Sequence, residues 1–282
     1  EISGLIIRVM RHAGIGTDYA IFLLDPETGN YTELSYFSHR NTEEGYLDAP
    51  YAIYYQNGRD GLSQDVTKLA MTYVDNSTKL HHAGWIDSNG TFFDVPEAVG
   101  LKAENEFVAQ PHYYSLGFTK DGNYFVFAEI TNPRSSLLQY ESNFDKFYYV
   151  ALNDLSTVYE GNPLSDEARK GYDINFPITD WVSDSEYLID DGDNCIIRDA
   201  NDYSNATEFI SGETRRNYNA VVGPDGRIAF ASCIKQTGED LAIYVTDQDG
   251  NNPQRILDCS VFTAPDGKFP NGYVTIQVVQ WK

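Results

Sequence analysis

Apolar and aromatic side chains in this chain come in runs of four to eight, and Asp, Asn, Gly and Pro cut the runs apart. No long segment shows the i, i+3, i+4, i+7 spacing of an amphipathic helix. The pattern predicts many short strands, with helical turns only at Asp94–Val99 and Ser165–Lys170. One hairpin recurs: an apolar strand, an Asp or Asn, a polar turn, then a second strand. Its copies are Phe22–Tyr31, Gly84–Phe92, Val150–Thr157, Ile196–Asp202 and Tyr244–Asn251. In such turns Asp accepts main-chain N–H bonds, and Gly or Asn takes the positive φ.

A second landmark, a tight turn leading into an apolar strand, comes before the hairpins. The clearest copy is Gly223-Pro224-Asp225-Gly226 ahead of Arg227–Phe230; others are Ser63–Met71, Thr119–Phe127 and Ser183–Ile189. Pro sets φ at the second turn position, and Asp-Gly completes the turn. A further short strand stands before each turn: Tyr51–Tyr55, Tyr113–Phe118, Ile178–Val182 and Tyr218–Val222. The unit is therefore four antiparallel strands, a to d.

The hairpin Asp/Asn residues fall at 25, 87, 153, 199 and 247, with steps of 62, 66, 46 and 48. The two short steps set the bare unit, and the longer ones carry insertions such as Thr131–Asp145. A four-stranded repeat of this length is the signature of a propeller blade. The first unit supplies strands b, c and d (Leu5–Met10, Tyr19–Leu24, Tyr31–Leu34) without an a, and the last strand, Tyr273–Trp281, has no hairpin after it. The expected fold is all-β: a single β-propeller domain over residues 1–282 with four-stranded antiparallel blades. Five blades are counted. The C-terminal strand is expected to join the N-terminal blade and close the ring, leaving no free edge. A sixth blade within Ser35–Asp60 or Cys259–Tyr273 is the alternative.

The segment Gly223-Pro224-Asp225-Gly226-Arg227-Ile228-Ala229-Phe230, continued by Ile243-Tyr244-Val245-Thr246-Asp247-Gln248-Asp249-Gly250-Asn251, resembles the repeat of TolB-type β-propellers. That repeat reads roughly S-P-D-G-x-x-I-A-F and then I-Y-V-M-D-x-D-G-x-N. Residues 63–95 follow it less closely, and Ser183-Asp184-Ser185 lacks both its Pro and its Gly. The resemblance implies a propeller in an exported or cell-surface protein of bacterial type. It implies a binding platform and no particular reaction.

Composition narrows the field. Lys and Arg number 20 against 42 Asp and Glu, a net charge of −22, so no nucleic-acid partner is expected. At 41% hydrophobic residues the chain can form a core, yet no stretch reaches the length of a membrane span. Cys195, Cys233 and Cys259 match no zinc spacing and read as buried thiols; a Cys233–Cys259 disulfide stays open outside the cytoplasm. Glu1-Ile2-Ser3-Gly4 leads directly into the apolar run Leu5–Met10. This is read as a trimmed start, with a periplasmic, secreted or lipid-anchored location expected. Sequons stand at Asn30, Asn76, Asn89 and Asn205. A monomer is expected.

Candidate chemistry is sparse. The chain holds no G-x-S-x-G, H-E-x-x-H, G-x-x-x-x-G-K-[ST] or G-x-G-x-x-G. His81 and His82 are neighbours on one strand, point to opposite faces and cannot share a metal. Asp190–Asn194 and Asp247–Gly250 lack the Gly and Glu positions of a calcium loop and read as turns. No catalytic residue, metal or cofactor is expected. The candidate binding residues, at the mouth where strands a begin, are His112, Tyr113, Asp180, Trp181, Tyr218 and Asn219. The expected function is a non-catalytic binding or scaffold domain for a protein or carbohydrate ligand. The alternative is a glycan-active hydrolase with channel carboxylates, for which Asp180, Asp48 and Glu106 are on offer.

Overall fold

The computed structural model describes residues 2–13, 15–48, 61–101, 111–119, 121–130, 146–161, 178–202, 204–210, 212–270 and 274–282. Strands β1 (Leu5–Ala13), β2 (Gly16–Leu24) and β3 (Tyr31–Arg40) come first. They are followed by β4 (Gly45–Asp48), β5 (Leu69–Asp75), β6 (His81–Ile86), β7 (Phe92–Asp94) and one helical turn, α1 (Val95–Ala98). Next come β8 (His112–Phe118), β9 (Tyr124–Ile130), β10 (Lys146–Ala151) and β11 (Val158–Gly161). Then come β12 (Ile178–Trp181), β13 (Glu186–Asp191), β14 (Asn194–Asp199) and β15 (Ala206–Ile210). The chain continues through β16 (Arg215–Val222), β17 (Ile228–Ile234), β18 (Ala242–Thr246) and β19 (Gln254–Asp258) to β20 (Val274–Trp281).

These strands form five four-stranded antiparallel sheets, the blades of a β-propeller fold. Four follow chain order; the first reads β20-β1-β2-β3. The C-terminal strand thus supplies the missing a: Leu5 pairs with Trp281 and Arg11 with Val274. Gly4 and Lys282 exchange main-chain bonds of 2.8 and 2.9 Å at the end of this pairing. Among the described residues there is no sixth sheet, because residues 35–40 extend β3 and Cys259–Phe262 form a 3-10 turn. The helical turn expected at Asp94–Val99 is α1, capped by the Asp94 carboxylate, which accepts from the Glu97 N–H at 3.0 Å. Ser165–Lys170, Tyr51–Tyr55 and Thr131–Asp145 lie outside the described residues; β4 takes the first place in the second sheet. Among the described residues no helix is long and apolar enough to cross a membrane.

By contact density the chain groups into two compact units: Glu1–Tyr36 with Asn175–Lys282, and Phe37–Ile174. In the first unit Leu5, Val9, Phe22, Val221, Ile243 and Ile276 share one core cluster. In the second, Trp85, Phe118, Phe125, Phe127 and Tyr148 do the same, and Trp85 stacks on Phe93 at 4.7 Å. Burial falls from the middle of each sheet toward its fourth strand. β2 and β17 are buried almost throughout, whereas β3, β15 and β19 begin exposed. Continuous apolar runs mark strands covered on both faces, so the b and c strands read that way while d strands alternate.

Four of the five first strands carry a β-bulge against their second strand. The register shifts at Ser115/Gly117 in β8, Ile178/Asp180 in β12 and Tyr218/Val221 in β16, and opposite Ile6/Ile7 in β20. A bulge adds one residue and re-aims the side chains beyond it. Next to these bulges polar side chains fasten one sheet to the next. Ser115 is fully buried: its N–H donates to Thr72 Oγ1 at 3.0 Å, and its Oγ donates to the Met71 carbonyl at 2.6 Å. The same Oγ accepts from the Gly84 N–H at 2.8 Å. Gly84 is required here, since a Cβ would run into the Phe93 carbonyl.

Candidate functional site

Four of the six predicted binding residues belong to the first unit. Asp180 is buried: its Oδ1 accepts from the Trp181 N–H at 2.9 Å, and its Oδ2 accepts from the Val222 N–H of β16 at 2.9 Å. Asp190, at the end of β13, accepts from the Asn219 N–H with both oxygens, at 2.8 and 3.0 Å. The structure therefore brings two carboxylates of the fourth sheet onto main-chain amides flanking the β16 bulge. Asn219 sits at φ 54, a conformation Asn tolerates better than most residues. Its side-chain Oδ1 is buried and has no hydrogen-bond partner among the described residues. Trp181 is half-buried edge-on against Tyr187, with centroids 5.4 Å apart. Tyr218 is half-buried, with the Arg216 guanidinium 5.7 Å from its ring centre.

Asp190 is chemically perturbed. Burial pushes its carboxyl up to about 6, against the opposing pull of the Asn219 N–H and the Arg216 charge. The neighbouring Cys195 thiol, 3.9 Å from Oδ1, is pushed well up by burial and by the Asp190 charge. All three cysteines are buried free thiols, so the Cys233–Cys259 bridge is not formed. Burial raises Cys259 to about 12, which leaves it inert at neutral pH.

The other two predicted residues are in the second unit. Tyr113 is 7% exposed and packs edge-on to Phe127 and Tyr148, at 5.6 and 6.4 Å; it is a core aromatic. Burial raises its hydroxyl far above the ordinary tyrosine range. His112 is half-buried and meets His81, Nδ1 to Nδ1, at 2.8 Å. His82 turns the other way, its Nδ1 2.8 Å from Asp94, which raises its affinity for a proton. His81 is pulled down to about 4, by burial first and then by the charges of His112 and His82; burial also lowers His112. The opposite orientation of His81 and His82 was legible from strand alternation. The encounter of His81 with His112 was not, because the residues lie in different sheets.

The acidic clusters hold turns. Asp193 pairs with Lys235 at 2.6 Å, and its carbonyl accepts from the Asn217 N–H. Asp247 accepts from Asn252 Nδ2 at 2.8 Å. Of the carboxylates considered for glycan chemistry, Asp48 ends β4 and is raised by burial, and Glu106 lies outside the described residues.

Sequence reasoning missed a cavity of about 470 Å³ in the first unit. Phe230, Tyr244 and Pro253 form its apolar wall, and Arg215, Asn217 and Ser232 its polar one. Phe230 and Tyr244 stack at 5.6 Å, with Arg215 5.5 Å from the Tyr244 ring centre. The Arg215 Nε donates to Ser232 Oγ at 2.8 Å and its Nη1 to Asp240 at 2.7 Å; Ser232 Oγ in turn donates to Asn217 Oδ1 at 2.8 Å. The polar wall is thus pre-set by its own bonds. None of the six sequence-predicted binding residues lines the cavity, although Asn217 directly precedes Tyr218. A second cleft of about 620 Å³ lies beside Tyr31, Phe262 and Lys268.

No protein-family model matches the chain, and no curated protein matches its sequence. Among solved structures it is similar to the putative TolB from Agrobacterium tumefaciens, with 11% identity and a TM-score of 0.37, over 97% of this chain and 90% of that one. It is also similar to the Porphyromonas gingivalis dipeptidyl peptidase 4, with 12% identity and a TM-score of 0.29, over 86% of this chain but 37% of that one. A third is the Pseudomonas aeruginosa periplasmic gluconolactonase PpgL, with 11% identity and a TM-score of 0.25, over 86% and 64%.

Proposed function

We propose that this chain is a non-catalytic binding or scaffold module of an exported or cell-surface protein, with a protein or a glycan as its ligand. The cavity beside β16 carries the reading. Its volume of about 470 Å³ falls in the range of ligand pockets, and it combines an aromatic wall with polar groups held in place before any ligand arrives. Tyr and Arg at such a cavity are the residue types that anchor partners. The acids support the non-catalytic part. A general acid or base must be free to exchange a proton with substrate. Asp180 and Asp190 instead accept main-chain N–H groups of their own protein. The exported setting rests on the TolB-type repeat in residues 223–251.

A defined protein and glycan array tests this. A ligand taken up by the wild type is expected to bind at least tenfold more weakly to Tyr244→Ala, while a ligand held by the sequence-predicted residues of the first unit responds instead to Trp181→Ala, and one held by those of the second to His112→Ala. Turnover of glycoside, lactone or peptide substrates that disappears in Asp180→Asn or Asp190→Asn, with folding intact, overturns the non-catalytic reading.

A further inference from the structure

We propose that His81 and His112 form a two-imidazole site for a divalent transition-metal ion of the copper type, with their two Nδ1 atoms as adjacent ligands. The two Nδ1 atoms are 2.8 Å apart, and the ring planes are inclined by 49°. A metal–imidazole bond is about 2.0–2.1 Å, so two such bonds at a right angle span about 2.9 Å, and at the tetrahedral angle about 3.4 Å. The observed separation suits neighbouring corners of a square-planar or tetragonal centre. It would have to open by about half an ångström for tetrahedral zinc. Square-planar nitrogen and oxygen sites are the geometry of Cu(II) and Ni(II), and Cu(II) stands highest in the affinity order.

The surroundings hold both rings. His81 lies on β6 and His112 on β8, in consecutive sheets of one unit. Tyr114, 1% exposed, packs on the His81 ring at 4.6 Å. Imidazole ligates in its neutral form, and among the described residues neither ring has a carboxylate partner of the kind that Asp94 gives His82. Both rings are half-exposed, so water or a donor atom of a bound molecule can fill the remaining positions. Among the described residues no group of three or more His, Cys, Asp or Glu comes together, so the pair offers an open site, unlike the closed set of a structural zinc.

The probe is copper(II) iminodiacetate, whose chelator leaves coordination positions for two imidazoles. The purified chain is expected to bind one equivalent, with an electron paramagnetic resonance signal showing two imidazole nitrogens. His81→Ala and His112→Ala are each expected to weaken binding at least tenfold and to reduce the signal to one imidazole, while His82→Ala binds like the wild type. His81→Gln and His112→Gln, checked for folding by circular dichroism, serve where the alanine variants misfold. Equal binding by the wild type and the His81 and His112 variants leaves the pair as a plain hydrogen bond and overturns the proposal. So does tighter binding of Zn(II) than of Cu(II) in a direct competition.

Discussion

At the residue scale, turns and interior fastenings follow different rules. Turn chemistry is local, so it could be read directly. The Asp25 carboxylate accepts from Glu27 N–H at 2.9 Å, Asp87 from Asn89 at 2.9 Å and Asp225 from Arg227 at 3.1 Å, each two residues on. The third hairpin is a near miss: Asn153 marks it in the repeat, but Asp154 holds it, through the Ser156 N–H and the Thr157 hydroxyl. Fastenings between sheets leave no local trace. Ser115 sits in an ordinary-looking apolar run, and its partners Met71, Thr72 and Gly84 lie 31 to 44 residues away. Ser115→Ala strands the buried Gly84 N–H and is expected to cost about 1–3 kcal/mol in urea unfolding; a cost below about 0.5 kcal/mol would show that the latch carries no weight. Asp190 gives a pH test. An Asp raised from its ordinary 3.8 to about 6 in the fold contributes stability that is fully present below pH 3.8 and lost as pH rises through about 6. At 1.36 kcal/mol per unit, the swing is about 3 kcal/mol. Asp190→Asn is therefore expected to exceed the wild type in stability at pH 7.5 and to match it at pH 4. A difference independent of pH refutes this account of the carboxyl.

At the element scale, strand order was legible and strand irregularity was not. The repeat revealed the a-b-c-d sequence because each hairpin brings its own turn residues. The bulges of the first strands passed unnoticed, although two signals were present. Gly117 interrupts β8 at φ 120, and Asn219 interrupts β16 at φ 54. A Gly or Asn inside an apolar strand is a bulge signal. The bulges bear on the candidate site, since Asp180 and Asp190 reach β16 where its register slips. The cavity was illegible for a related reason: its walls come from β16, β17, β18 and the segments beside β15 and β19, and no single stretch of chain reveals it. The strand that closes the first sheet gives the sharpest prediction. A chain ending at 273 exposes the β1 edge from Leu5 to Arg11, and such an edge pairs with other chains. It is expected to aggregate at micromolar concentration. A synthetic peptide of residues 274–282 added during refolding is expected to restore a soluble species by strand addition. A soluble, unaggregated truncated chain without the peptide would mean that β1 does not need its partner.

At the scale of the whole molecule, charge and chain order set behaviour that no single contact explains. A net charge of −22 makes the folded chain repel itself. Raising ionic strength from 0.01 to 1 M shortens the screening length from about 30 to about 3 Å. The melting temperature measured by calorimetry is expected to rise with sodium chloride. A fall would mean that ion pairs such as Arg227–Glu27 and Arg215–Asp240 outweigh the repulsion. Chain order acts through time. The pairing of β1 with β20 joins segments far apart along the chain. At 5–20 residues per second a ribosome needs roughly 13 to 50 s to add the about 260 residues between them. During that interval β1 waits with bare the flank that β20 later covers. Whatever escorts this polypeptide through that delay must shield a hydrophobic ribbon and then surrender it to a strand made much later.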